Sequence, residues 1–175
     1  MKLLTFAATN STNSINKQLA TYAASLVDNA QVDVIDLNDF EMPIFSEQRE
    51  KTMGQPEQAK TFFNKISEAD AIILSFAEYN GSYTAAYKNI FDWASRIDQK
   101  VFQNKPMVML ATSPGPGGAA SVLSSAVASA PYFAGDVRAS LSVPSFYDNY
   151  DAEQKQITNE SVLSELKSAV STLAA

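Results

Sequence analysis

The sequence predicts an α/β protein in which one parallel β-sheet is covered by helices on both faces. Two patterns indicate this fold class. Short apolar runs of strand length alternate with segments whose apolar residues recur at helical spacing, as in parallel-sheet proteins. Polar or glycine-bearing segments directly follow three of the apolar runs, where strand-to-helix connections belong. We expect five strands in the spatial order 2-1-3-4-5.

The first strand and helix are predicted near the start of the chain. Residues 2–8 form an apolar run typical of a parallel strand that is buried on both faces. Residues 9–14 are small, polar and uncharged, and Ser14 suits the N-cap of the helix that follows. Hydroxyls and amides at such a join can bind phosphate with neutral donors. Alternatively, they only form a turn and cap the helix.

A second strand is predicted over residues 31–37, followed by an irregular segment over residues 38–55. A loop of that length inside a compact domain is usually a lid or a binding loop. The charged run at 47–51 is interpreted as solvated surface. Pro56 suits the first turn of the next helix. The first glycine of the chain is Gly54, so the glycine fingerprint of dinucleotide-binding domains is missing after the first strand.

The stretch at residues 77–83 lies between an apolar strand at 71–76 and an apolar helix that begins near residue 84. Gly81 permits a close approach of the main chain to a flat ligand, and the helix adds unpaired N–H donors. Ligands of open α/β sheets bind at this carboxyl edge. We interpret the stretch as a ligand-binding loop, with an ordinary connecting loop as the alternative.

The helix after residue 84 has an apolar stripe wider than one sheet contact requires, which predicts either double burial or an oligomer interface, and we expect a dimer. A fourth strand at 107–112 runs into the glycine-rich segment 113–118. Two such loops at neighbouring strand ends could hold a planar ring between them. A helix ending at Pro131, a fifth strand at 136–143 and a closing helix complete the predicted elements.

Composition restricts the class of protein further. The 175 residues suit a single domain over 1–175, and the net charge of −6 disfavours a nucleic-acid binder. The absence of His and Cys excludes Ser-His-Asp hydrolases, Cys nucleophiles, disulfides and zinc sites with those ligands, and we predict no metal site. An enzyme of this composition would depend on a cofactor for the difficult steps of its reaction. No leader or membrane-spanning run is recognised, so we expect a cytoplasmic protein.

Residues 77–82, with Lys88-Asn89 and Asp92-Trp93, resemble the P-E-Y-N-G-S…K-N…D-W signature of the NADPH-dependent FMN reductase family. This flavodoxin-like family includes quinone, chromate and azo-dye reductases. Residues 113–118 resemble the second glycine-rich loop of the same family. The resemblance covers nearly the whole chain, and it implies a flavodoxin-like three-layer sandwich.

The resemblance implies that FMN takes hydride from NADPH or NADH and passes electrons to a small electron-poor acceptor such as a quinone. No side-chain acid or base is implied as essential, so no catalytic residue is predicted. The first loop would hold the phosphate, and the other two loops would line the isoalloxazine ring. A homodimer or homotetramer is expected. The implied cofactor-binding residues are Thr9, Ser11, Ser14, Ile15, Asn16, Glu78, Tyr79, Asn80, Gly81, Ser113, Gly115 and Gly117.

The phosphate loop departs from the family pattern G-S-x-R-x-x-S-x-N at two positions. Ala8 replaces the glycine and Ser11 replaces the arginine. Loss of a charge-assisted contact worth about 1.5–3 kcal/mol predicts FMN binding weaker by roughly tenfold to a hundredfold. Ala77 also replaces the proline of the central loop.

Three other classes of protein with a similar fold are alternatives to the reductase. A non-catalytic FMN electron carrier and an interaction module without flavin would both share the fold. A response-regulator receiver needs a carboxylate pair after the first strand, where residues 8–10 carry none.

Two of the implied cofactor-binding residues have alternative roles. For Glu78, the alternative to the flavin site is a role as surface charge or helix-dipole partner, and for Tyr79 it is loop packing.

Overall fold

The computed structural model describes residues 1–174, and it contains the parallel five-stranded sheet that the sequence predicts. The strand order is β2-β1-β3-β4-β5, so the predicted number and order are confirmed. Every neighbouring pair runs parallel. The strands are β1 (Lys2–Ala8), β2 (Gln31–Val34), β3 (Ala71–Phe76), β4 (Pro106–Thr112) and β5 (Asp136–Val143).

Helices cover both faces of this sheet, which makes the three-layer sandwich. The helices are α1 (Ile15–Ser25), α2 (Glu47–Met53), α3 (Glu57–Glu68), α4 (Ala85–Ile97), α5 (Ala120–Ser129), α6 (Phe146–Asn149) and α7 (Glu160–Ser171). Short 3-10 turns follow β2, α5 and α7, at Leu37–Phe40, Ala130–Phe133 and Thr172–Ala174.

Two apolar clusters form the core, one on each side of the sheet. One joins β-strand side chains such as Leu4 and Leu74 to α3, α4 and α5. The other joins Leu3 and Ile73 to α1 and α7. All six residues of β3 are buried because this central strand is covered on both faces. Among residues 1–174 there is no helix long and apolar enough to cross a membrane.

The structure corrects the prediction for residues 31–55. Strand β2 ends at Val34, because Asp36 accepts a hydrogen bond from the Asn38 N–H and caps a 3-10 turn. The segment predicted to be irregular contains α2, capped by Ser46 at the Arg49 N–H. This helix has no buried residue, so it lacks the apolar periodicity by which a helix is recognised.

The wide apolar stripe of α4 is covered in part by residues 42–45 of the same chain. The Trp93 Nε1 donates to the Pro43 carbonyl at 2.7 Å, and the Phe45 ring packs edge-on against the indole at 5.1 Å between centroids. The Asn89 Oδ1 accepts from the Phe45 N–H at 2.8 Å. Part of the stripe is therefore buried by the same chain, and an oligomer interface on the rest of it stays a prediction.

The chain after β5 contains elements that the sequence analysis did not predict. Helix α6 follows Ser145, which adopts a left-handed conformation with φ of 47°. A two-residue antiparallel hairpin, β6 (Tyr150–Asp151) with β7 (Gln156–Ile157), then leads to α7. These elements place residues 145–149 at the same sheet edge as the loops that follow β1, β3 and β4, since the Ser145 N–H donates to Gly115 O.

Candidate functional site

A cavity of about 190 Å³ lies at the carboxyl edge of the sheet, where the loops after β1, β3 and β4 meet. Such a position is the usual ligand site of open α/β sheets. The structure thus brings together residues from all three predicted loops. The lining residues are Thr9, Ser11, Asn13, Ser14, Ile15, Asn16, Ala77, Glu78, Tyr79, Thr112, Ser113, Pro114 and Tyr147.

The first loop supplies a set of uncharged donors. Thr9 is buried, and its Oγ1 accepts from the Ser11 N–H at 3.1 Å, which closes a tight turn. The Thr9 hydroxyl also lies 3.4 Å from the Tyr79 hydroxyl, so it connects the first loop to the second. Ser14 caps α1 by accepting from the Lys17 N–H at 3.1 Å, as predicted.

The start of α1 faces the cavity with its unused backbone donors. In an α-helix the first N–H groups have no partner within the helix, and here they belong to Ile15 and Asn16. Both residues line the cavity. An anion in the cavity would receive these donors and the favourable end of the helix dipole.

The side chain of Asn16 is directed into the protein and not into the cavity. Its Nδ2 donates to the Thr112 carbonyl at 3.1 Å, and its Oδ1 accepts from the Thr112 N–H at 3.0 Å and from the Ser75 hydroxyl at 2.7 Å. These bonds tie α1 to the ends of β3 and β4. What Asn16 offers a ligand is therefore its backbone N–H.

The central loop forms a two-residue turn between Tyr79 and Ser82. These two residues exchange backbone hydrogen bonds of 3.0 and 3.2 Å, and Asn80 and Gly81 between them have φ of 53° and 76°. Asn-Gly is the preferred pair for a turn with two positive φ angles. No atom lies within 4 Å of where a Cβ of Gly81 would stand, so this backbone face is open. Asn80 and Gly81 lie outside the cavity lining.

Glu78 lines the cavity, but its carboxylate already has a partner. It accepts from the Val122 N–H at 2.8 Å, in the first turn of α5. That helix has no side-chain cap of its own, because Ala119 stands at its N-cap. Glu78 therefore acts as the helix-dipole partner that the sequence analysis gave as its alternative role. This contact also fixes the central loop against α5.

The glycine-rich third loop divides into an open part and a packed part. Ser113 and Pro114 line the cavity, and the Ser113 hydroxyl donates to the Gly115 carbonyl at 3.1 Å. Gly115 and Gly117 lie outside the lining, and a Cβ placed on either would meet no atom within 4 Å. At Gly118, with φ of 58°, a Cβ would stand 2.3 Å from the Ser142 Oγ, so only glycine fits against β5.

Tyr147 is a lining residue that the sequence analysis missed. It belongs to α6, its side chain is 69% exposed, and with Tyr79, which is 48% exposed, it places a second aromatic ring at the cavity. One available signal was its position four residues after the predicted fifth strand, whose end lies at the same sheet edge. The other unpredicted lining residues are Asn13, Ala77, Thr112 and Pro114.

The electrostatics of the cavity suit an anion held by neutral donors. Among the described residues that line it, Glu78 is the only charged one, and its carboxylate is bonded to α5. Nearby, the hydrogen bond from Lys17 at 2.5 Å holds the pKa of Asp36 below its ordinary value. The cavity is smaller than the ~300–1,000 Å³ that encloses a drug-sized ligand. A phosphorylated ligand would place its phosphate inside and a larger ring outside, beside the exposed tyrosines.

Solved structures share the fold of this chain. A flavoenzyme NAD(P)H:(acceptor) oxidoreductase from Paracoccus denitrificans superposes with a TM-score of 0.77 over 98% of this chain and 94% of its own, at 22% identity. An azoreductase, AzrA, has a TM-score of 0.65 with complete coverage of both chains, at 15% identity. At these identities the likeness establishes the fold and not the activity.

Two curated relatives are similar in sequence over part of their length. A 2-hydroxy-1,4-benzoquinone reductase from Burkholderia sp is 36% identical over 110 residues, which are 62% of this chain and 58% of that protein. An NAD(P)H-dependent FMN reductase from Pseudomonas aeruginosa is 30% identical over 121 residues, which are 69% of this chain and 64% of that protein. The chain thus spans less than two thirds of either relative.

A family model described as NADPH-dependent FMN reductase matches residues 1–147. The match includes β1 to β5 and every residue that lines the cavity. It confirms the resemblance stated from the signature at 77–82 and from the glycine-rich loop. The chain belongs to the NADPH-dependent FMN reductase family.

Proposed function

We propose that this protein binds FMN at the carboxyl edge of its sheet. The convergence of three strand-end loops on one cavity with neutral donors is the observation that carries the proposal. The phosphate would be held by the Thr9 and Ser14 hydroxyls and by the backbone N–H groups of residues 11–16. The ring would lie outside the cavity, against residues 78–81 and the open backbone of Gly115 and Gly117.

The residues present fit this cofactor in two respects. The first loop contains no carboxylate that would repel a phosphate, and the Glu78 carboxylate is engaged by the Val122 N–H. The positive φ of Asn80 and Gly81 exposes a flat stretch of main chain, which a planar ring can approach. Ser11, in place of the family's arginine, offers a hydroxyl and an N–H but no charge, so the affinity is expected to be reduced.

We propose further that the protein is an NAD(P)H-dependent oxidoreductase that reduces quinone-like or other electron-poor acceptors. FMN, when bound, supplies the reversible uptake and release of a hydride. The chain's own residues bind and orient the cofactor. The family membership and the names of the two relatives support this activity, and NADPH or NADH would be the co-substrate.

FMN titration followed by fluorescence quenching tests the binding proposal. We expect micromolar or tighter affinity, weakened several-fold by Asn80→Asp, which brings a negative charge near the ring. Asn29→Asp is the matched control, because Asn29 also has a positive φ, of 55°, but precedes β2 at the other end of the sheet. If saturating concentrations of FMN show no binding, the proposal that the protein binds FMN is wrong.

Steady-state oxidation of NADPH with a quinone separates the enzyme from its main alternative. A reductase turns over rapidly once it is loaded with FMN. An FMN electron carrier would bind the cofactor tightly yet oxidise NADPH slowly, and an interaction module would bind none.

We also propose a homodimer or homotetramer in the cytoplasm. The exposed apolar side chains of Ile44 and Met53, in the segment between β2 and α3, support an association surface. Light scattering of the purified protein measures its mass directly, and a mass of 19.0 kDa, that of a single chain, would contradict the oligomer.

A further inference from the structure

Tyr147 reaches the cavity at the carboxyl edge of the sheet, the loop cavity, from outside the three loops. It belongs to α6, after β5, whereas the other described lining residues lie in or beside the loops that follow β1, β3 and β4. Its side chain is 69% exposed. An exposed side chain adds most to a binding site when it is already held in place, because ordering a mobile one costs conformational entropy. The contacts of residues 145–147 hold both the backbone and the ring of Tyr147.

The backbone before Tyr147 is tied to the third loop. The Ser145 N–H donates to the Gly115 carbonyl at 2.9 Å, and the Phe146 N–H donates to the Ser113 carbonyl at 3.0 Å. Ser145 has a φ of 47°, a left-handed conformation that persists in a residue other than glycine only where its surroundings enforce it. The start of α6 is therefore fixed to the loop that contributes Ser113 to the cavity.

The ring of Tyr147 rests on a buried aromatic neighbour. It lies edge-on to the Phe146 ring, with centroids 5.7 Å apart and planes at 80°. Phe146 is 1% exposed and stacks on Tyr150, with centroids 4.6 Å apart. Edge-on contacts of this kind are a preferred arrangement of aromatic pairs. Tyr147 is thus an exposed residue with a defined position at the cavity.

A phosphate in this cavity would have few strong donors. Among the described lining residues there is no cation, and Lys17, in the first turn of α1, directs its ammonium to Asp36 at 2.5 Å. The Ser113 hydroxyl donates to a backbone carbonyl of its own loop. The Tyr79 hydroxyl lies 3.4 Å from the Thr9 Oγ1, so these two groups share a hydrogen bond. A further neutral donor at the cavity would therefore matter to the affinity for a phosphate.

We propose that the Tyr147 hydroxyl donates a hydrogen bond to the FMN phosphate, and so offsets part of the loss caused by Ser11 in place of the family's arginine. The inference rests on the proposed FMN binding and adds a residue of α6 to it. A hydroxyl on an exposed side chain can exchange water for a ligand oxygen. Its bond to a charged phosphate is stronger than one to a neutral acceptor.

Fluorescence titrations with FMN and with riboflavin, which lacks the phosphate, test the assignment. Tyr147→Phe removes only the hydroxyl, so it should weaken FMN roughly tenfold, the effect of one hydrogen bond to a charged group, and leave riboflavin unchanged. Tyr132→Phe makes the same change on a 76% exposed side chain outside the cavity, and it should alter neither affinity. Unchanged FMN affinity in Tyr147→Phe would overturn the proposal. Equal weakening of both ligands would also overturn it, since that result places Tyr147 against the ring.

Phosphorus NMR of the FMN-saturated protein provides a readout that a change in stability does not move. The phosphorus signal of bound FMN should shift in Tyr147→Phe, because the phosphate loses a donor, and should stay in place in Tyr132→Phe. The same signal position in wild type and Tyr147→Phe would overturn the contact. Both side chains are largely exposed, so both variants should unfold at the temperature of the wild type.

The wild-type titration separates this inference from the FMN proposal on which it rests. If wild type and Tyr147→Phe bind FMN equally well, FMN binding stands and Tyr147 has no contact with the phosphate. If wild type does not bind FMN, both proposals are wrong. A loss of affinity in Tyr147→Phe that is confined to FMN supports both.

Discussion

Asn16 connects the three elements that lie beneath the loop cavity. Its side chain makes three hydrogen bonds, to both backbone groups of Thr112 and to the Ser75 hydroxyl, and all three residues are buried. A buried polar group that loses its partner costs about 1–3 kcal/mol. The arrangement explains why an asparagine at this position serves the site although its side chain does not enter it.

We therefore expect Asn16→Ala to lower the free energy of unfolding by roughly 2–4 kcal/mol, because the Thr112 N–H and the Ser75 hydroxyl lose their partner. Urea denaturation measures the change. Asn13→Ala, at an exposed position of the same loop, should change stability by less than about 0.5 kcal/mol. Equal effects of the two substitutions would mean that the side-chain hydrogen bonds of Asn16 contribute nothing to the free energy of unfolding.

The Lys17–Asp36 pair predicts a pH dependence of stability. The hydrogen bond from Lys17 lowers the pKa of Asp36 in the folded protein below its ordinary value of 3.8. Because the pKa of Asp36 is lower in the folded protein, the stabilising contribution of the pair is fully present at pH values above the pKa of the unfolded chain. It is lost as the pH falls through the pKa of the folded protein. Both side chains are partly exposed, at 36% and 29%, so the pair contributes at most about 1 kcal/mol.

Asp36→Asn should accordingly reduce stability at pH 7 and remove part of the loss of stability below pH ~4. Thermal unfolding followed from neutral to acid pH measures both effects. Asp39→Asn, on the same 3-10 turn and without a cation partner among residues 1–174, is the control. A stability difference between wild type and Asp36→Asn that is the same at every pH would exclude this linkage.

Helix α5 depends on a cap that comes from another element. Its own N-cap is Ala119, in a left-handed conformation with φ of 58°, and the Val122 N–H is satisfied by the Glu78 carboxylate. One contact therefore caps the helix and fixes the central loop of the site. By comparison, α7 begins with its own cap, since Asn159 accepts from Ser161 and Val162.

Glu78→Ala should lower the free energy of unfolding by about 0.5–2 kcal/mol, the usual effect of losing a helix cap. It should also speed hydrogen exchange of the Val122 amide. Glu160→Ala, in the first turn of the separately capped α7, should cost less than about 1 kcal/mol and leave that amide unchanged. Unchanged exchange at Val122 in Glu78→Ala would rule out the capping role.

The elements that could be predicted from sequence are those that bury a periodic apolar face. Strand β3 is apolar at every position except Ser75, and α3 has Ala59, Phe62 and Ile66 at helical spacing. Helix α2 buries nothing, so only its cap and charges mark it. The β6–β7 hairpin has strands of two residues, too short to show a pattern.

At the scale of the molecule, the place of the site follows from topology. In a parallel sheet the carboxyl ends of the strands share one edge, so the polar loops after β1, β3 and β4 had to meet there. The direction of each side chain could not be predicted. Asn16 faces the interior and Glu78 caps α5, because both are held by contacts with residues distant in the sequence.

Titration of the protein with FMN and, separately, with riboflavin tests the central claim most directly, because the two ligands differ only in the phosphate. If the loop cavity holds the phosphate and the neighbouring loops hold the ring, FMN binds one per chain with micromolar or tighter affinity. Riboflavin then binds at least about tenfold more weakly, the loss expected for a charge-assisted contact. Equal affinities for the two ligands, or no binding of FMN at all, would contradict it.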